Sequence, residues 1–390
     1  MSESRNPLVP AVLAVGAVLF AVLIAGLGCG EQISGAAYAE APTAPAAHAA
    51  ARAPLNVVLM IGDGMGLTQV SAALYANGGK LSLERMRVIG LHKSYSADDL
   101  VTDSAAGATA FSCGVKTING AVGVEPDGTP CTTLLERAEA AGMPTGLVAT
   151  STIVHATPAA FYAHVPSRQQ YEDIAAALLG SGVDYAVGGG QGFFDQRTSD
   201  TRDLLEELRE RGNVVSSYFD GDFVAEQAIE RAPYVYLSSA KDPLPQAQGR
   251  NYLVPATGRA LDFLEARDSL GVGFFLVVEG SQIDWGGHAN DSEYIISETL
   301  EFAEAVERVL DWADKRGNTL VVVTADHETG GYAINKGSRM GKIEGAFTSD
   351  YHTADLVPVY ASGPGAEMFG GIYENTAIHD KILTLLRGRL

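Results

Sequence analysis

Asn56-Val57-Val58-Leu59-Met60-Ile61-Gly62-Asp63-Gly64 decides the fold: an apolar run breaks at a glycine and delivers a carboxylate just beyond it. Short apolar runs bounded by turn residues read as buried strands. The pattern returns at Thr145 to Thr150, Asp184 to Gly188, Tyr234 to Ser238, Phe274 to Val278, Thr319 to Thr324 and Leu356 to Tyr360. Between these runs lie segments with the helical period. Thr201 to Arg211 sets Leu204, Leu205 and Leu208 on one side and stops at Gly212. Ser292 to Lys315 sets out Ile295, Ile296, Leu300, Ala303 and Val306 as its expected buried stripe. Strands alternating with helices predict an α/β fold with a mostly parallel central sheet flanked by helices. The stretch from about Asp184 to Asn251, with the loop Lys241 to Arg250, carries little candidate chemistry and reads as scaffold rather than a cap.

The flanking sequence sets the context. Residues 54–390 read as a single large domain with insertions. Residues 40–53, rich in Ala and Pro, read as a tether. Residues 1–39 read as an export signal or membrane anchor: Arg5 lies in a polar start, and Leu8 to Gly28 is apolar and uncharged. Three fates stay open: cleavage after Ala37-Tyr38-Ala39, lipidation of Cys29, or retention as an anchor, since about 20 apolar residues can span a bilayer. Each places the domain outside the cytoplasm, in a periplasm or cell envelope. There Cys113 and Cys131 are one candidate disulfide or two buried thiols. The 47 acidic against 27 basic residues, a formal net charge of -20, exclude a phosphate-backbone binder, so no nucleic-acid partner is expected.

Strand endings carry the chemistry. Asp63 follows the first run, Glu279 ends Phe274 to Val278 with Asp284 and His288 close behind, and Asp326-His327 follow Thr324. His352 shortly precedes the Leu356 run. Open α/β sheets gather ligands at the carboxyl edge of their strands, so these residues are expected to converge. Imidazole with carboxylate suits zinc, and an all-oxygen set suits magnesium. Ser104, in the small-residue segment Val101 to Ala110, stands where a helix begins. It is either an ordinary N-cap or a hydroxyl aimed at an anion at the helix N-terminus.

Taken together, Ile61-Gly62-Asp63-Gly64-Met65-Gly66, Val101 to Ala110, Gly114-Val115-Lys116-Thr117, Val278-Glu279-Gly280-Ser281-Gln282-Ile283-Asp284 and Thr324-Ala325-Asp326-His327 closely resemble the alkaline phosphatases, in order from about Asn56 to Ala361. The resemblance implies broad hydrolysis of small phosphomonoesters through a phosphoserine on Ser104, with Arg168 binding phosphate. It implies two Zn2+ and one Mg2+. Asp284, His288 and His352 match the first zinc site; Asp63, Asp326 and His327 the second; Asp63, Thr157 and Glu279 the third. His155 and Trp285 stand where the enteric bacterial pattern has Asp and Lys, which leaves the third metal open between magnesium and zinc. His92 and His164 receive no role. Homodimer and monomer both stay open. A sulfatase on the same scaffold would need a C/S-x-P-x-R motif, and none surrounds Cys113 or Ser104. A diesterase would lack an arginine placed for two free phosphate oxygens, and a non-catalytic binding lipoprotein would leave Ser104 without a purpose.

Overall fold

A computed structural model describes residues 55–223 and 232–387. The leader and tether readings lie outside the described residues. Among the described residues no helix is long and apolar enough to cross a membrane.

The strands in chain order are β1 (Asn56–Gly62), β2 (Val88–Lys93), β3 (Thr145–Thr152), β4 (Tyr185–Gly189), β5 (Val214–Ser217), β6 (Tyr234–Leu237), β7 (Phe275–Gly280), β8 (Thr319–Thr324), β9 (Glu328–Thr329), β10 (Ala333–Ile334), β11 (Gly345–Ala346), β12 (His352–Thr353), β13 (Val357–Ser362) and β14 (Gly371–Glu374). Ten of them form one sheet in the order β14-β2-β13-β8-β1-β7-β3-β4-β6-β5. All seven strands expected from the sequence are present. The unexpected β2, β5 and β14 lie at or near the sheet edges, where short, partly polar strands give a weak apolar signal. β4, β5 and β6 come from the stretch read as scaffold, and they widen the sheet on one side.

Within the ten-stranded sheet every pairing is parallel except those of β13, which runs antiparallel to both β8 and β2. That reversal matters for the site. A residue preceding an antiparallel strand sits at the edge where its parallel neighbours end, so His352 joins the residues that follow β1, β7 and β8.

Alternation along the central strands feeds two cores. Val57, Leu59 and Ile61 of β1 pack with Ala105, Phe111, Leu134 and Ile378 on one face. Val58 and Met60 pack with Val70, Leu261, Phe302 and Val306 on the other. Full burial of such a side chain contributes about 1.5–3 kcal/mol, so two filled faces hold the central strands firmly.

The long helix Ser292–Arg316 starts at Asp291, whose side chain accepts from the N–H groups of Glu293 and Tyr294, and closes at Gly317 with φ of 72°. Ile295, Ala303 and Val306 are buried as expected, whereas Ile296 and Leu300 are only partly covered. Glu298 and Glu301 take buried positions because Arg250 reaches both, 2.6 Å from Glu298. Cys113, ending the Ser104–Cys113 helix, is disulfide-bonded to Cys131 with Cα atoms 5.8 Å apart, which resolves the open thiol reading.

Candidate active site

The carboxyl edge of the central strands collects every predicted site residue. β1 delivers Asp63, β7 ends at Glu279 and Gly280, and the helix Gln282–His288 presents Asp284 and His288 four residues apart on one side. The turn after β8 supplies Asp326 and His327. Close backbone approaches make this convergence possible. At Gly64, φ is +71° and a Cβ would lie 2.6 Å from Thr329 Oγ1; at Gly107 it would lie 2.9 Å from Asp326 Cβ.

Ser104 is not the helix cap. Asp103 is: its carboxylate accepts from Ala106 N at 3.0 Å, which leaves Ser104 as the first helical residue with its hydroxyl free for other work. Ser104 Oγ lies 3.3 Å from His327 Nε2. Asp103 also accepts from Arg168 Nη1 at 2.9 Å, and so holds the guanidinium beside the serine. The other arm of Arg168 meets His155 Nε2 at 3.3 Å. A guanidinium only donates, so His155 carries its proton on Nδ1. Trp285 packs edge-on to His155 with ring centres 6.2 Å apart.

Three imidazoles have their inward nitrogens freed by the same device. His352 Nδ1 lies 2.8 Å from the Thr102 carbonyl and His288 Nδ1 2.7 Å from that of Asp350. A carbonyl only accepts, so each Nδ1 is the donor and each Nε2 turns inward. For His327 the partner is Thr329, whose hydroxyl donates to Asp284 Oδ1 at 2.5 Å and faces His327 Nδ1 at 3.2 Å. With its one hydrogen spent on Asp284, that hydroxyl accepts from Nδ1.

The inward nitrogens meet carboxylates. His288 Nε2 is 3.3 Å and His352 Nε2 3.5 Å from Asp284, and the two Nε2 atoms are 3.2 Å apart. His327 Nε2 is 3.3 Å from Asp326 and 3.5 Å from Asp63. Donor atoms of Asp284, His288 and His352 lie within 4.8 Å of one another, as do those of Asp63, Asp284 and His327, and those of Asp63, His155 and Glu279. Thr157 donates to Asp63 at 3.4 Å and Ser151 to Glu279 at 3.3 Å.

Burial and mutual repulsion dominate the electrostatics. Burial, followed by the charges of Asp326, Asp284 and Glu279, pushes Asp63 well above the usual carboxylate range. Burial likewise raises Glu279 and Asp326 to about 7. For Asp284 burial is outweighed by the His288 hydrogen bond and the neighbouring His352 and His327, and its carboxyl is held low. The same bond raises His288 to about 9. Burial and then the positive Arg168 push His155 down to about 3.

Asp103, Ser151, Thr329 and the carbonyls of Thr102 and Asp350 were not anticipated as parts of the site. Only Asp103 had a signal, an Asp immediately before a helix start. His92 accepts no site role: its Nε2 meets the Ala325 carbonyl at 2.8 Å and braces the turn before Asp326. His164 ties Gly123 to Glu136.

Comparison with known proteins accords with this geometry. The family model described as "Alkaline phosphatase" matches residues 55–346. The chain belongs to the alkaline phosphatase family. Alkaline phosphatase 3 of Bacillus subtilis is 32% identical over 421 residues, covering 85% of this chain and 89% of the relative. The solved alkaline phosphatase of the Antarctic bacterium TAB5 is 41% identical with a TM-score of 0.80, covering 86% of this chain and 98% of that one. A histidine-to-aspartate variant of the TAB5 enzyme was solved with Mg bound in its M3 site. Streptomycin-6-phosphate phosphatase of Streptomyces griseus is 31% identical, covering 88% of this chain and 94% of the relative. As an alkaline phosphatase the protein is a metal-dependent hydrolase of phosphate monoesters.

The residues present suit bound cations. Asp63 Oδ1, Glu279 Oε1 and Asp326 Oδ2 are buried without a hydrogen-bond partner. A buried carboxylate oxygen left unpaired is costly, and a divalent cation is the partner that relieves several at once. At His288 a proton and a cation compete for the same Nε2, so uptake of metal there would release a proton.

Proposed function

We propose that the protein hydrolyses a broad range of phosphomonoesters in two displacements through a phosphoserine on Ser104. The observation that carries this reading is the freed Ser104 hydroxyl beside the Arg168 fork, with Asp103 serving both as cap and as anchor. Arg168 holds two oxygens of the phosphoryl group. Ser104 Oγ attacks phosphorus in line, a P–O bond forms to the serine, and the ester oxygen leaves on the far side as the alcohol. Water then attacks the phosphoserine from the vacated side and regenerates Ser104, so configuration at phosphorus is retained. These groups all address phosphoryl oxygens, and this supports breadth in the leaving alcohol.

Asp284, His288 and His352 would hold one zinc, Asp63, Asp326 and His327 a second, and Asp63, Thr157 and Glu279 a magnesium. Bound there, the cations would activate the serine and water oxygens and stabilise the charge of the leaving oxygen. His155, which shares a donor cluster with Asp63 and Glu279, makes zinc the competitor at the third position.

The test is hydrolysis of p-nitrophenyl phosphate beside a phosphodiester, before and after chelation with Zn2+ or Mg2+ added back, in the parent and in Ser104→Ala. Loss of both the trapped phosphoenzyme and nearly all monoester turnover in Ser104→Ala is expected. Near-normal turnover would sink the serine assignment.

We infer further that the domain works outside the cytoplasm. The apolar Leu8 to Gly28 leader and the Cys113–Cys131 disulfide support this, because such bonds persist in oxidising compartments.

A further inference from the structure

Beyond the ten residues assigned above, one aromatic side chain stands at the open side of the site. Tyr351 is 49% exposed, a large value for a tyrosine in contact with site residues. Its ring lies parallel to that of His352, with centres 4.5 Å apart and planes inclined by 10°. His352 is itself stacked on His327 at 3.5 Å and 15°. A run of three rings thus leads from the nitrogen beside Ser104 Oγ to the protein surface. Tyr351 also approaches His288, at 5.9 Å between centres.

The backbone around Tyr351 is held closely. Its N–H donates to Ser349 Oγ at 2.9 Å, its carbonyl accepts from Gly330 N at 2.9 Å, and the preceding carbonyl of Asp350 accepts from His288. A tyrosine fixed in this way loses little further freedom when a ligand packs on it.

Ser104 Oγ lies beside His327 of the second ligand set, and in the proposed reaction the ester oxygen leaves on the side opposite the serine, which that reading assigns to the set of Asp284, His288 and His352. Tyr351 flanks two of those three residues and is the exposed ring next to that exit. We propose that Tyr351 is a specificity-determining residue whose open ring face stacks on the leaving group of aryl phosphomonoesters, favouring them over esters of aliphatic alcohols. This preference overlies the broad range and rests on the Ser104 reading, which fixes the direction of departure. Only the ring is needed, since stacking draws on the aromatic face and not on the hydroxyl.

The experiment compares kcat/KM for 2-naphthyl phosphate and glycerol 2-phosphate in the full enzyme, Tyr351→Ala and Tyr351→Phe. An aromatic pair is worth about 0.5–1.5 kcal/mol, so Tyr351→Ala is expected to lose about two- to twelvefold on the aryl ester, mainly through KM. It should stay within about twofold on the glycerol ester, and Tyr351→Phe should keep the parental ratio. Equal losses on both esters, an unchanged ratio in Tyr351→Ala, or a loss in Tyr351→Phe as large as in Tyr351→Ala would overturn the role. Trapping the phosphoenzyme in the same proteins separates this outcome from failure of the serine reading. A trapped phosphoserine with an unchanged ester ratio overturns Tyr351 alone, and no phosphoserine in the parent overturns both.

Discussion

Asp103 shows how one side chain settles the meaning of its neighbour. Read alone, Ser104 at the start of a small-residue segment fits a cap as well as a nucleophile. With Asp103 accepting from Ala106 N and Gly120 N, the capping position is taken and the serine is released. The same carboxylate grips Arg168, which is mostly buried and is kept fully charged by Asp103 despite that burial. Replacing Asp103 with Asn keeps an acceptor for the helix but removes the negative charge that faces the guanidinium. A hydrogen bond to a charged group contributes about 1.5–3 kcal/mol, so inhibition by inorganic phosphate should weaken at least about tenfold in Asp103→Asn. Asp103→Ala should show the same weakening and also lose about 1 kcal/mol of stability with the cap. Phosphate inhibition constants together with urea denaturation check this; unaltered inhibition in both variants removes Asp103 from the phosphate site.

Among the elements, the reversed strand β13 explains a residue that chain order misplaces, because His352 lies before β13 and yet meets residues that lie after β1, β7 and β8. The helix Leu134–Ala140 carries a different consequence. Its Glu139 is hydrogen-bonded with Thr145 Oγ1 at the start of β3, and burial, with Asp184 nearby, pushes its carboxyl from 4.5 to about 8. A carboxyl raised on folding binds its proton more tightly in the native state. Its contribution is therefore complete below the unfolded value and is lost as pH rises through about 8. Between pH 7 and 9, at fixed metal concentration, the melting temperature of the parent should fall more steeply than that of Glu139→Gln. Parallel slopes would show that Glu139 is already ionised at neutrality.

Across the whole molecule, acidic residues outnumber basic ones heavily, yet the substrate is an anion. Attraction for it must be local: Arg168 stands at the serine, and cations held by the crowded carboxylates would reverse the field over a few ångströms. The proposed location follows from the two ends of the argument, leader and disulfide. Fractionation of cells making the full chain should place the activity in the periplasm or envelope, and recovery of active enzyme with an intact disulfide from the cytosol would refute it.

The α/β class and all seven expected strands were legible as short apolar runs, and Asp63, Glu279, Asp284, His288, Asp326 and His327 stood out as polar residues at or close behind the ends of such runs, whereas Arg168 and Thr157 were reached only through the family resemblance. Burial of the strand forces the run, and the end of the sheet exposes the polar residue, so composition and position are coupled along the chain. What the amino-acid order alone determined was therefore which groups stand at strand ends. Which nitrogen of each imidazole faces inward was decided only in three dimensions, by Thr102 and Asp350 carbonyls far away in sequence and by a threonine hydroxyl with one hydrogen to give. The cap at Asp103, the partial exposure of Ile296 and Leu300 beside the buried Glu298 and Glu301, and the ring of Tyr351 at the exit belong with these. They depend on contacts between distant segments, and hydrogen-bond direction and packing against a remote neighbour leave no periodic mark in the chain.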